Sequence, residues 1–166
     1  MDYFNKYLKY KSKYLSLKNN LSLKDIIDKY ENYGFTTLNS NDINNFKNNA
    51  STYGRLTHTG FKQILDKIKE IDNTINFKEL NFLDMGSGDG YVVAIASFYF
   101  KNSYGVELSE KRHKKALELF SKIPNVKFTN DDMLNYNLEN IDIIYISSCC
   151  FPQDILLKIG NKINII

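Results

Sequence analysis

The sequence predicts an α/β fold, an open and mostly parallel sheet with helices ahead of it. Three observations lead there. From residue 51 onward, short apolar runs suited to strands alternate with amphipathic segments of helix length. The first of those runs ends in a glycine-rich turn that passes directly into a helical pattern. The 166 residues suit one domain, and 43% hydrophobic content supplies a core of ordinary size. Strands separated by helices of that length require right-handed crossovers, which join parallel neighbours.

The chain opens with Tyr3, Tyr7, Tyr10, Tyr14, Leu17 and Leu21 at alternating spacings of four and three. That is the period of an amphipathic helix with one apolar seam, and Lys6, Lys9 and Lys13 fall largely off it. The seam either packs on the domain itself or serves a partner or an anion. Ser22, with Asp25 three residues on, forms a capping pair that opens a second helix. Ile26, Ile27 and Tyr30 face inward along it and Gly34 stops it. Residues 39–50, rich in Asn and Ser, read as a linker. The expected organisation is a helical extension over residues 1–50 and a second unit over residues 51–166.

In the second unit a helix spans residues 60–71, with Phe61, Ile64, Leu65 and Ile68 on one face. A strand at 80–84 leads through the glycine-rich turn into a helix at 91–100. A strand at 103–107 and a helix at 109–123 come next. Strands at 126–129, 141–147 and 163–166 complete the sheet, with a short helix at 153–159 before the last.

Charge narrows the function. Residues 1–50 carry eight Lys against five acidic residues, whereas residues 51–166 carry fourteen basic and fourteen acidic ones. A neutral second unit argues against broad nonspecific binding of nucleic acid there. No run reaches the 18 apolar residues of a membrane span. Lysines recurring through the first 18 residues leave no cleavable apolar leader. The only cysteines, Cys149 and Cys150, are adjacent and give no sign of an oxidising compartment. An intracellular protein, cytoplasmic or nuclear, is expected. With His58 and His113 as the only histidines, no zinc spacing arises; the cysteines read as packing or channel lining, and no metal is expected. Lys111-Arg112-His113-Lys114-Lys115 reads as a solvated charged face at a helix start. His58 lies either near a ligand or on a surface turn.

The stretch that carries chemistry is Phe82-Leu83-Asp84-Met85-Gly86-Ser87-Gly88-Asp89-Gly90. Its glycines let the backbone turn tightly and approach a ligand. An open α/β sheet binds its ligand at the carboxyl ends of its strands, where the order reverses. Glu107 ends the second strand, 17 residues beyond Gly90, where a carboxylate accepts from both hydroxyls of a ribose. A dinucleotide site would use G-x-G-x-x-G; here the glycines run G-x-G-x-G, and Asp84 stands two residues before the first. An acid there is awkward for a pyrophosphate and suits a cationic amino group. Asp131-Asp132-Met133-Leu134 follows the third strand with further acids.

That combination resembles the first motif of the class I S-adenosylmethionine (SAM)-dependent methyltransferases. A narrower resemblance covers residues 51–166. Tyr53-Gly54-Arg55-Leu56-Thr57, the glycine-rich turn, Tyr104-Gly105-Val106-Glu107, Asp131-Asp132-Met133-Leu134 and Ile143-Ile144-Tyr145-Ile146-Ser147-Ser148-Cys149-Cys150-Phe151-Pro152 follow in order. The series is similar to the non-SET histone-lysine methyltransferases of the telomeric-silencing-disruptor family. The resemblance implies a Rossmann-like open parallel sheet of order 3-2-1-4-5, preceded by N-terminal helices; in this chain the C-terminal strands are expected to be abbreviated. It implies SAM as cofactor, held by Asp84, Gly86, Ser87, Gly88, Gly90 and Glu107, with Asp131, Asp132 and Met133 at the adenine. Tyr53 and Thr57 would fold over the methionine end. Ser147, Ser148 and Phe151, with Tyr53, would line a channel for a protein lysine. RNA or a small molecule is the alternative acceptor, and a SAM-binding regulatory subunit without turnover is the alternative class.

The chain departs from the family at three places. Arg55 stands where the family has Glu, and Ser147-Ser148 stand where it has an Asn pair. Residues 163–166 would also leave an apolar edge strand, which soluble proteins normally cover. A protein partner covers it, the N-terminal helices do, or the domain is abbreviated.

Overall fold

Four parallel strands, β1 (Asn81–Met85), β2 (Asn102–Glu107), β3 (Val126–Asn130) and β4 (Ile143–Tyr145), lie side by side in the order β3-β2-β1-β4. The computed structural model describes residues 21–32, 36–38, 54–149 and 151–164. Among the described residues, five helices accompany the sheet: α1 (Leu23–Tyr30), α2 (His58–Ile71), α3 (Tyr91–Ala96), α4 (Glu110–Phe120) and α5 (Gln153–Ile163). The order reverses between β1 and β4, so the crevice at their carboxyl ends is where such a sheet takes a ligand. The register sets Asp84 between Gly105 on β2 and Tyr145 on β4.

Alternation along β1 divides the core into two. Phe82 joins Phe61, Leu65, Phe77, Phe100 and Phe120 on the larger side. Leu83 and Met85 join Val106 and Leu138 on the smaller side. The Phe61 and Phe82 rings meet edge to face at 5.7 Å, and Phe82 lies 5.0 Å from Phe100. Each such buried ring contributes roughly 1.5–3 kcal/mol over exposure.

The expected capping pair forms as a full box. The Ser22 hydroxyl accepts from Asp25 N (3.1 Å) and the Asp25 carboxylate from Ser22 N (2.9 Å). α1 then packs on α3 and buries Ile26 and Tyr30 in the larger core, with Tyr30 edge-on to Phe120 at 5.1 Å. The expected helix over residues 3–21 lies, up to residue 20, outside the described residues, as do Gly34 and the 39–50 linker.

Several boundaries move. α2 begins at His58 and buries Phe61 and Leu65, but Ile64 is 41% exposed and so lies off the packed face. α3 stops at Ala96 and continues as turns, because Tyr99 N and Phe98 N close three-residue rather than four-residue rings. β4 holds three residues of the expected seven. The expected strand at 163–166 does not start at Ile163, which is the last residue of α5. Ile155, Ile159 and Ile163 fall four apart, a helical period; Ile159 is buried and Ile163 packs on the smaller core. The outer strand on that side, among the described residues, is therefore β4.

One packing constraint here is tight. A Cβ on Gly105 would stand 2.7 Å from Ser87 Oγ and 2.9 Å from the Phe128 ring. Gly105→Ala should therefore lower stability by about 1–3 kcal/mol, the usual cost of overpacking. Urea denaturation checks this; an unchanged midpoint would contradict so close an approach of β2 to the glycine turn.

Candidate functional site

The turn after β1 is folded back onto β2. Gly86 N and Ser87 N both donate to Val106 O (2.9 and 3.0 Å), and Gly90 N donates to Ser87 O (2.9 Å). Gly90 adopts φ 84°, and a Cβ there would lie 2.6 Å from Phe128 and 2.9 Å from Ala116. Only glycine satisfies both the left-handed backbone and that contact. Ser87 is buried, and its hydroxyl is turned under the turn against Gly105 with no hydrogen-bond partner among the described residues.

Glu107 closes the turn from the side. One carboxylate oxygen accepts from Gly88 N and the other from Ser109 N, each at 2.8 Å. A carboxylate offers about four acceptor sites, so each oxygen keeps a lone pair for a further donor. Burial pushes the Glu107 carboxyl above its usual range, while the two backbone donors and the charge of Arg112 pull the other way. Arg112 is itself buried, which corrects the expectation of a wholly solvated 111–115 face. Arg112, Ala116 and Phe120 are the buried residues of α4 and fall four apart, so the arginine shares the helix's inner stripe.

Asp84, at the end of β1, is 3% exposed. Its carboxyl is pushed up to about 8, first by burial and then by the charge of Glu107. Among the described residues no basic side chain offsets this. Among the described residues, Asp84 and Glu107 are thus two buried acids at this crevice, and Asp84 has no counter-charge.

The remaining expected residues are spread around this centre. Asp131 N donates to Glu107 O (3.2 Å), which ties the end of β3 to the end of β2. Asp131 is exposed and accepts from Asp132 N (2.7 Å); Asp132 is half-buried and accepts from Leu134 N (2.9 Å). Met133 is half-buried on the smaller core. Phe151 N donates to Ser148 O (3.0 Å), and the resulting turn brings the Phe151 ring within 3.8 Å of where a Gly86 Cβ would stand. Ser147 is exposed and bonds the Tyr145 phenol, whose pKa is raised by burial and by Asp84. Thr57 caps α2, its hydroxyl accepting from Gly60 N (3.1 Å). Tyr53 and Cys150 lie outside the described residues.

Sequence reasoning missed a second polar group on the far side of the turn. Arg55 pairs with Asp89 (2.5 Å) and donates to Tyr30 O, and the Glu31 carboxylate accepts from His58 N (2.6 Å) and Tyr91 OH (3.0 Å). His58 Nε2 also meets Tyr99 OH at 2.7 Å, so the histidine belongs to the packing between α2 and the segment after α3. No local periodicity signals such long-range partners.

A family model described as histone methylation protein DOT1 matches residues 33–164. The chain belongs to that family. Its architecture is the open parallel sheet of class I methyltransferases, in the order 3-2-1-4 over the described strands. No curated protein matches the chain. Among solved structures, it is similar to magnesium protoporphyrin IX methyltransferase of Synechocystis, solved with bound SAM, at 17% identity and TM-score 0.49 over 87% of this chain and 71% of that one. An RNA methyltransferase of Salinibacter ruber, in complex with S-adenosyl-L-homocysteine, aligns at 21% identity and TM-score 0.41 over 51% of this chain and 57% of its own. A Haemonchus contortus phosphoethanolamine N-methyltransferase aligns at 13% and 0.40, over 49% and 18%. The chain thus spans less than two thirds of the length of the last two. Among the described residues, no helix is long and apolar enough to cross a membrane.

Proposed function

We propose that the chain is a SAM-dependent methyltransferase whose acceptor is a protein lysine. The carrying observation is the glycine turn between Glu107 and a buried Asp84 that has no cationic neighbour among the described residues. A ligand with an ammonium group and a ribose fits that pair: the ammonium supplies the missing counter-charge, and two hydroxyls use the lone pairs left on Glu107. SAM has both groups, and its sulfonium supplies an activated methyl.

In this reading Asp84 takes the amino group and Glu107 the ribose, beside Gly86, Ser87, Gly88 and Gly90. Asp131, Asp132 and Met133 serve the adenine, and Tyr53 and Thr57 close the methionine end. Ser147, Ser148 and Phe151, with Tyr53, line the path of the acceptor. The Phe151 ring beside Gly86 gives that path an apolar wall, and desolvation by such a wall favours the neutral amine a lysine needs to react. Alignment then does most of the work, and no general base is assigned. Family membership supports protein lysine over the other acceptors.

The test is transfer of labelled methyl from SAM to a mixture of histones. Phe151→Ala or Ser148→Ala should lower turnover about ten- to a hundredfold by loss of alignment, with SAM affinity nearly unchanged. A chain that binds SAM but labels no protein would be a binding module, or a methyltransferase for another acceptor.

A further inference from the structure

We propose that Arg55 is a positioning residue of the cofactor site, acting through Asp89 to hold the glycine turn in its ligand-binding shape. The inference rests on the SAM reading of that turn. Asp89 lies between Gly88 and Gly90, and its carboxylate accepts from Arg55 in an ion pair. The two side chains are 5% and 1% exposed, so the pair is a desolvated one. Such pairs are costly to break from one side, because the remaining charge stays buried.

The guanidinium is itself fixed on three sides. It donates to Asp89 on one edge, and to Tyr30 O and Glu31 O (3.4 Å) at the end of α1 on the other. Its face lies 5.1 Å from the centre of the Tyr91 ring, at the start of α3. Glu31 completes the frame by accepting from both His58 N and Tyr91 OH. The end of α1, the start of α2 and the start of α3 are therefore joined at one point.

The consequence for the ligand follows from the backbone. Gly88 N donates to the carboxylate of Glu107, and Asp89 is the next residue. With Asp89 anchored, the Gly88–Gly90 backbone has one orientation, and the Glu107 oxygens keep their remaining lone pairs aimed at one place. A glutamate at position 55, the family's residue there, would set two like charges in this buried space. The departure at Arg55 is thus matched by an acid within the turn.

The experiment is calorimetric titration of S-adenosylhomocysteine into the parent chain, Arg55→Ala, Asp89→Asn, the double variant and Arg55→Lys, with thermal denaturation of each, with and without that ligand. Arg55→Ala should weaken binding by about tenfold or more, a fraction of what breaking a buried pair costs. It should also shrink the ligand-induced rise in Tm. Arg55→Lys, which keeps the charge, should recover most of the affinity. The double variant should bind better than the product of the two single losses, since the two residues act as a unit. If Arg55→Ala does not fold, Asp89→Asn carries the same expectation. A folded variant with parental affinity and a parental ligand-induced rise in Tm would make the pair purely structural and overturn the inference. A parent chain that binds no S-adenosylhomocysteine would overturn the SAM reading, and this inference with it.

Discussion

Replacing Glu107 by alanine is expected to weaken SAM binding by about 1.5–3 kcal/mol, the range for hydrogen bonds to a charged group, or roughly 10- to 150-fold. The effect has two sources. Alanine removes the acceptors offered to the ribose, and it also strands Gly88 N and Ser109 N, which now donate to the carboxylate at 2.8 Å. Glu107→Gln separates the two, because an amide keeps one acceptor oxygen and the size of the side chain. The glutamine variant should retain more affinity than alanine and less than the parent. Equal affinity across all three, measured by calorimetry, would remove Glu107 from the site.

The second large effect concerns protons at Asp84. With its carboxyl pushed up to about 8 by burial and by Glu107, the folded ligand-free chain holds a proton there at neutral pH. The unfolded chain releases it at the ordinary carboxyl pKa of about 4. Between those values the native state binds more protons than the unfolded state, so this group makes stability fall as pH rises. Above about 8 both states are ionised and its slope vanishes. Urea denaturation from pH 5 to 8 should show a steeper loss in the parent than in Asp84→Asn. An ammonium group arriving beside Asp84 favours its ionised form, so binding near pH 7 should release a proton. Calorimetry in buffers of different ionisation enthalpy would detect it for SAM and S-adenosylhomocysteine. Adenosine, which has no such amino group, should release none. Identical proton release for all three would place the amino group elsewhere.

Much of this site was legible because local pattern encodes it. The place of Glu107 beside the turn is legible from its distance to the glycines, and the turn from the glycines themselves, since a left-handed backbone restricts residue type. The Ser22–Asp25 box was equally readable, because both partners lie within one turn of helix. Ile163 departs from the expected strand for the opposite reason. A short apolar run carries no period of its own, and the spacing of Ile155, Ile159 and Ile163 outweighs β propensity there. Arg112 looked solvated amid its lysines, although Ala116 and Phe120 extend its stripe inward. The Arg55–Asp89 pair spans 34 residues, and the approach of the Phe151 ring to the space over Gly86 spans a longer stretch. Partners that far apart meet only when the sheet order is known.

The turn between Asp84 and Glu107 is proposed to bind SAM. Calorimetric titration of the purified chain with SAM, S-adenosylhomocysteine and NAD tests it most directly. Saturable binding of SAM and S-adenosylhomocysteine, with none of NAD, is the expected result. Absence of SAM binding, or NAD bound equally well, would contradict it.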